Sequence, residues 1–161
     1  MKKEQELGFR VMTYLLKRSY DHFVWESNQL YRELDVGVEA NWVSVFTLLE
    51  MEGALSVTEL AKALGLKHPT IHALVKKIMK KGYIAEESDP EDGRRRILRL
   101  TPAGLKKKKA MEPIWGAAEL VGQELLQETG IDLLAGLQQL LAAMDQKSFA
   151  TRIKEKMAER Q

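Results

Sequence analysis

Between Ser56 and Gly82 turn residues divide the chain into two short stretches of helical periodicity, and this spacing restricts the fold more than any other feature. Ser56 followed by Glu59 has the spacing of a capping box, in which the hydroxyl accepts from a first-turn N–H and the carboxylate reaches back to the cap residue. A short helix over about Val57 to Leu64 follows, and Gly65 is placed to end it in a left-handed conformation. Leu66 to Pro69 then turns into a second helix, about Pro69 to Lys81, closed by Gly82. Two short helices about a glycine turn form a helix-turn-helix.

The flanking segments complete the architecture. Tyr83 to Glu87 and Ile97 to Leu100 read as short strands around a polar, glycine-bearing tip, which makes a hairpin. Thr101 and Pro102 then suit a helix start, the hydroxyl as N-cap and the proline where its missing N–H costs nothing. The helix should run to about Glu128, bent by Pro113 and Gly116. Thr129 with Asp132 offers a further capping pair ahead of Leu133, Leu134, Leu137, Leu140, Leu141 and Met144, which continue at helical spacing. Upstream, apolar residues recur every three to four positions from Glu4 to Leu34, Asp35 to Gly37 breaks the pattern, and a second helix carrying Trp42, Val45, Phe46, Leu48 and Leu49 ends near Gly53. The predicted fold is mainly α with a small β-hairpin wing. It is a single domain over 1–161, with a winged helix-turn-helix lobe at 41–103 between long helices at 1–36 and 104–161.

Net charge is only +2, but its distribution is segregated. Ser56 to Lys109 holds fourteen Lys or Arg against six Asp or Glu, a net +8, and the remainder carries −6. A basic centre between acidic ends suits a polyanion partner, since phosphate neutralisation with counterion release supplies most non-specific affinity for nucleic acid. The absence of cysteine excludes a disulfide framework, a cysteine-ligated zinc site and a thiol switch. Met1 to Arg10 lacks the apolar core and cleavage site of a secretion signal, and no run approaches the roughly 20 apolar residues of a membrane span, so a cytoplasmic location is expected. No phosphate-binding loop, nucleophile elbow, dinucleotide fingerprint or H-E-x-x-H occurs, so neither an enzyme nor a cofactor is expected.

The second short helix of such a motif enters the major groove, and its first turns reach base edges. Here those residues are Lys67, His68, Pro69, Thr70 and His72, with Lys76 among the lysines assigned to phosphates and solvent. Ile71, Leu74, Val75 and Ile78 form the opposite, apolar stripe. At the wing tip, Arg94, Arg95 and Arg96 stand beside Asp89, Glu91 and Asp92. Asp92 is read as orienting the hairpin while Arg94, with Arg95 as a second candidate, enters a narrow minor groove, whose enhanced negative potential attracts arginine. His68 and His72 share a helix face at i, i+4, a spacing zinc sites use. No third ligand lies near, and the face is the one assigned to DNA, so no metal is expected.

Three segments resemble the multiple antibiotic resistance regulator (MarR) family: Leu60 to Gly65 (LAKALG), Pro69 to Gly82 (PTIHALVKKIMKKG) and above all Asp89 to Gly104 (DPEDGRRRILRLTPAG). The resemblance covers about Trp42 to Lys109 by motif. It implies a transcriptional regulator, a repressor in sign, whose terminal helices interlock in a homodimer and which binds near-palindromic double-stranded operators with a recognition helix and wing from each subunit. It implies family wing roles for Asp92 and Arg94, and an aromatic effector pocket, for which Tyr14, Tyr20, His22, Trp25, Trp42 and Met51 are the candidates on the first two helices. Lys67 and His68 depart from the small polar cap and glutamine of many relatives, so base preference does not carry over.

The terminal helices independently predict self-association, because their apolar stripes exceed what a small winged module can cover. Two other functions fit the lobe less well. A protein-docking winged helix would gain little from three adjacent guanidiniums, and a metal-responsive regulator would need ligands beyond the two histidines.

Overall fold

The computed structural model describes residues 7–160. It divides into two compact units, Met1–Met111 and Glu112–Gln161. The predicted start of the first helix at Glu4 lies outside the described residues.

In the first unit a 3-10 turn, Gly8–Val11, leads into helix α1 (Met12–Glu33). Helix α1 stops at Leu34, and Asp35 takes a left-handed φ of 48° in the predicted break. The linker is tied back to α1, because the backbone N–H of Ala40 donates to Asn28 Oδ1 at 2.8 Å. A second 3-10 turn, Ala40–Trp42, opens into α2 (Val43–Glu52).

Helix α3 (Val57–Leu64) begins with the predicted capping box, both halves of which form. Gly65 ends it at φ 63°, ψ 26°, a conformation that costs glycine no Cβ clash. Helix α4 (His68–Lys80) buries Ile71, Leu74, Val75 and Ile78. Each such side chain contributes about 1.5–3 kcal/mol when fully buried, so this stripe fixes the rotation of α4 about its axis. Val45, Phe46 and Leu49 of α2 and Leu60 of α3 are likewise essentially inaccessible.

Strands β1 (Ile84–Ser88) and β2 (Arg96–Leu100) pair antiparallel, with Ile84 opposite Leu100 and Ser88 opposite Arg96. The root of β2 is also bridged to the α2–α3 corner: Leu98 N–H donates to Leu55 O at 2.8 Å and Leu55 N–H returns to Leu98 O at 3.2 Å. Ile97 and Leu98 are both buried, so β2 departs from simple inside–outside alternation because each of its faces is covered there.

Helix α5 (Pro102–Thr129) runs continuously through Pro113, and the boundary between the units falls just before that residue. Its N-cap is Thr101, whose Oγ1 accepts from Gly104 N–H at 3.0 Å and donates to Gly82 O at 2.6 Å.

The second unit comprises the rest of α5, α6 (Leu133–Gln146) and α7 (Phe149–Ala158). The cap of α6 is Asp132, which accepts from Ala135 N–H at 2.9 Å, whereas Thr129 spends its hydroxyl on Leu126 O. Helix α7 was not anticipated; Ser148 caps it by accepting from Thr151 N–H. Neither α6 nor α7 buries a residue, and side chains such as Leu134, Leu141 and Phe149 stand exposed.

Candidate nucleic-acid interface

The outward face of α4 is set by its buried face. Lys67 precedes the helix in extended conformation, and its carbonyl receives the N–H groups of Thr70 (2.9 Å) and Ile71 (3.2 Å). With Pro69 in the first turn, the helix begins without a side-chain cap, and His68, Pro69, Thr70, His72 and Lys76 all reach solvent. These are the residues the sequence assigns to base and phosphate contacts; each is exposed, and Thr70 lies on the side of α4 that borders a groove against α1. Lys77, a turn further, is drawn aside to Glu39 at 3.2 Å. Among the described residues no three His, Cys, Asp or Glu side chains are grouped to hold a metal ion.

The wing tip is organised by its acids. Asp92 accepts the N–H of Arg94 on its carboxylate at 3.0 Å and the N–H of Arg95 on its backbone carbonyl at 2.8 Å. Asp89 accepts Glu91 N–H at 2.9 Å and donates its own N–H to Arg95 O at 2.9 Å. The three arginines then part company. The Arg96 guanidinium donates to Ser88 Oγ at 2.9 Å and lies 3.5 Å from Glu86. Arg95 Nη1 reaches Asp89 at 3.0 Å, while Nη2 lies 2.6 Å from both carboxylate oxygens of Glu59 on α3. Among the described residues the Arg94 guanidinium has no polar partner, and it is exposed at the tip.

Glu59 therefore serves two structures. Its Oε2 accepts both the backbone N–H and the hydroxyl of Ser56 at 2.8 Å, and the same carboxylate receives Arg95. These contacts lower its pKa from 4.5 to about 2, the Ser56 backbone N–H contributing most, then the Ser56 hydroxyl, then Arg95.

The six candidate effector residues are not gathered into one pocket. Trp42 is only 2% exposed and packs edge-on against Tyr83 at 6.3 Å, as core. Tyr14, Trp25 and Met51 are exposed, and His22 sits on one face of α1 with Glu26 3.5 Å away. Of the six, only Tyr20 lines a groove of about 520 Å3 in the first unit. That groove runs between α1 (Tyr20, Val24), the 3-10 turn and start of α2 (Asn41, Ser44) and the inner edge of α4 (Thr70, Ala73, Lys77).

Two positioning residues escaped sequence reasoning. Lys107 donates to Val36 O at 2.9 Å and lies 6.0 Å above the Tyr83 ring, bracing the α1–α2 linker against the base of the wing. Lys108 pairs with Glu50 at 2.8 Å. Both hide in the run Lys106 to Lys109, where helical phase, rather than residue type, separates the inward pair from exposed Lys106 and Lys109.

A glycine-linked helix pair, a hairpin rooted on it and a charged tip define a winged helix-turn-helix protein. Residues 36–95, the greater part of this lobe, match the model of the MarR family. The fold is similar to that of S. aureus MepR in a DNA complex, at 24% identity over 82% of this chain and 96% of that one, with a TM-score of 0.69. A MarR/EmrR family transcriptional regulator from Acinetobacter sp. ADP1 superposes with a TM-score of 0.70 at 23% identity, covering 85% and 96%. Bordetella bronchiseptica BpsR, whose DNA binding is regulated by 6-hydroxynicotinic acid, is 25% identical over 83% of this chain and 92% of that one, with a TM-score of 0.63. No curated protein matches the chain in sequence. Among the described residues no helix is long and apolar enough to cross a membrane.

Proposed function

We propose that the protein is a sequence-specific double-stranded-DNA-binding regulator that works as a homodimer in the cytoplasm. The observation that carries this reading is the division of labour on the exposed face of the lobe. Helix α4 offers Thr70 and His72 beside Lys67, His68 and Lys76, while the guanidinium of Arg94, alone of the three wing arginines, meets no polar partner among the described residues. Helix α4 would read base edges in the major groove, with Arg94 entering the adjacent minor groove. The DNA complex of MepR supports the assignment by likeness of fold.

The uncovered apolar side chains of α1 in the first unit, and separately those of α6 and α7 in the second, support pairing with a second copy, because soluble monomers rarely leave large apolar patches in water. Two-fold pairing sets two recognition helices about one helical turn apart, on the order of 10 base pairs, and thereby requires an inverted-repeat operator. The regulator acts as a repressor and is released by a small lipophilic or aromatic ligand. The groove beside the inner edge of α4 supports that part, since an occupant there would favour one placement of the recognition helix over another. Regulation of BpsR by 6-hydroxynicotinic acid supports the ligand class.

Selection of bound duplexes from a random pool tests the reading, with an inverted repeat of that spacing expected; a single half-site, a direct repeat or no enrichment overturns it. A panel of small aromatic acids should lower affinity for the recovered operator, and failure of every acid to shift either affinity or melting temperature removes the effector.

A further inference from the structure

Arg95 sits where a DNA contact would be expected, yet its guanidinium is already committed. It bridges two acids from different elements, Glu59 in the first turn of α3 and Asp89 just after β1. The Asp89 side chain is only 11% exposed, and its backbone N–H closes on Arg95 O, so side chain and backbone of Arg95 both hold the hairpin. Moving this guanidinium onto a phosphate would take from both acids the cation that neutralises them and leave two carboxylate charges near a polyanion. A guanidinium shared between two acids in one charge-assisted network is also the kind of contact that keeps its geometry better than an isolated surface pair.

We propose that Arg95 is a positioning residue, stapling the wing to α3 through Glu59 so that its neighbour Arg94 is presented to the minor groove. The inference rests on the DNA-binding reading for its last clause only; the staple itself is a property of the free protein. Glu59 makes the link unusual, because the carboxylate that caps α3 is the one that anchors the wing. Helix start and hairpin are thereby fixed by a single side chain.

Electrostatics gives the test a sign. Removing a negative charge near the interface should, on charge alone, tighten DNA binding. The staple predicts the opposite for Glu59→Gln, which retains the capping geometry, since glutamine serves at that position of a capping box. Glu59→Gln and Arg95→Gln should each weaken binding to the selected operator roughly 3- to 10-fold, and the double variant should be little worse than either alone. The dependence of log affinity on log salt should keep its slope in Arg95→Gln, whereas loss of a phosphate contact would reduce it by about 0.9.

In the free protein, amide hydrogen exchange at Asp89 and Arg95 should quicken in both variants. Unchanged exchange overturns the staple. Additive losses with a reduced slope, or tighter binding by Glu59→Gln, make Arg95 a DNA contact and overturn it equally. Quickened exchange in a protein whose wild type binds no duplex would leave the staple standing and remove the DNA-binding reading instead.

Discussion

A Cβ added to Gly104 would lie 2.1 Å from the backbone carbonyl oxygen of Tyr83 and 3.0 Å from its carbonyl carbon. The same carbonyl accepts the N–H of Thr101 at 3.0 Å, so the first turn of α5 is pressed against the chain entering the wing. Backbone on both sides of the contact leaves no flexible side chain to give way. Gly104→Ala should therefore destabilise the protein by about 1–3 kcal/mol or more, the cost of overpacking a closed interior, with a lowered urea midpoint as the measurement. An unchanged midpoint would mean that α5 and Tyr83 separate freely.

Lys107 gives a second check on the same corner. Its ammonium bonds Val36 O and rides over the Tyr83 ring, whose edge contacts reach Trp42 and Phe46. Lys107→Met keeps the apolar stem but removes the donor, and should cost about 1 kcal/mol, seen as a fall in melting temperature. Lys106→Met, on the exposed side of the same run, should change it by less than about 0.5 kcal/mol.

Acid should weaken the wing anchor in a defined range. The Glu59 carboxyl titrates at about 2 in the folded chain against 4.5 ordinarily, so the folded form binds fewer protons. Its stabilisation is complete above the unfolded value and lost as pH falls from there through the folded one. Wild type should lose more stability than Glu59→Gln between roughly pH 5 and 3, followed by urea unfolding; parallel pH curves would remove Glu59 from the account.

Wing and helix should fail in different ways on DNA. Arg94→Ala should weaken binding to all duplexes broadly, because the minor groove is read largely by shape and potential. Thr70→Ala and His72→Ala, both exposed in the first turns of α4, should alter which bases are tolerated. Competition titrations against a panel of single-base operator variants separate the two, and the reverse pattern would exchange the assigned roles.

Local chemistry made the lobe legible. Ser56, Glu59, Gly65, Thr101 and the stripe from Ile71 to Ile78 each satisfy a need inside a few residues of chain, and the elements begin and end within a residue or two of where those needs place them. The partners of Arg95 and Lys107 were illegible for the opposite reason. Glu59 lies 36 positions from Arg95 and Val36 lies 71 from Lys107, and a charged side chain carries no mark of the distant atom it will meet. Helix α7 was missed despite a local signal, Ser148 three residues before Thr151, because its apolar positions, Phe149, Ile153 and Met157, are too few to dominate the pattern. The aromatics of α1 and α2 mislead as a set: Trp42 and Tyr20 belong to neighbouring elements, yet one closes a core and the other borders a groove.

The paired bonds between Leu55 and Leu98 lash the hairpin to the corner ahead of α3, and α3 in turn cradles α4. Finger and blade thus travel as one tool. If the lobe binds DNA as proposed, the step from helix contact to wing contact should therefore stay constant from one half-site to the next.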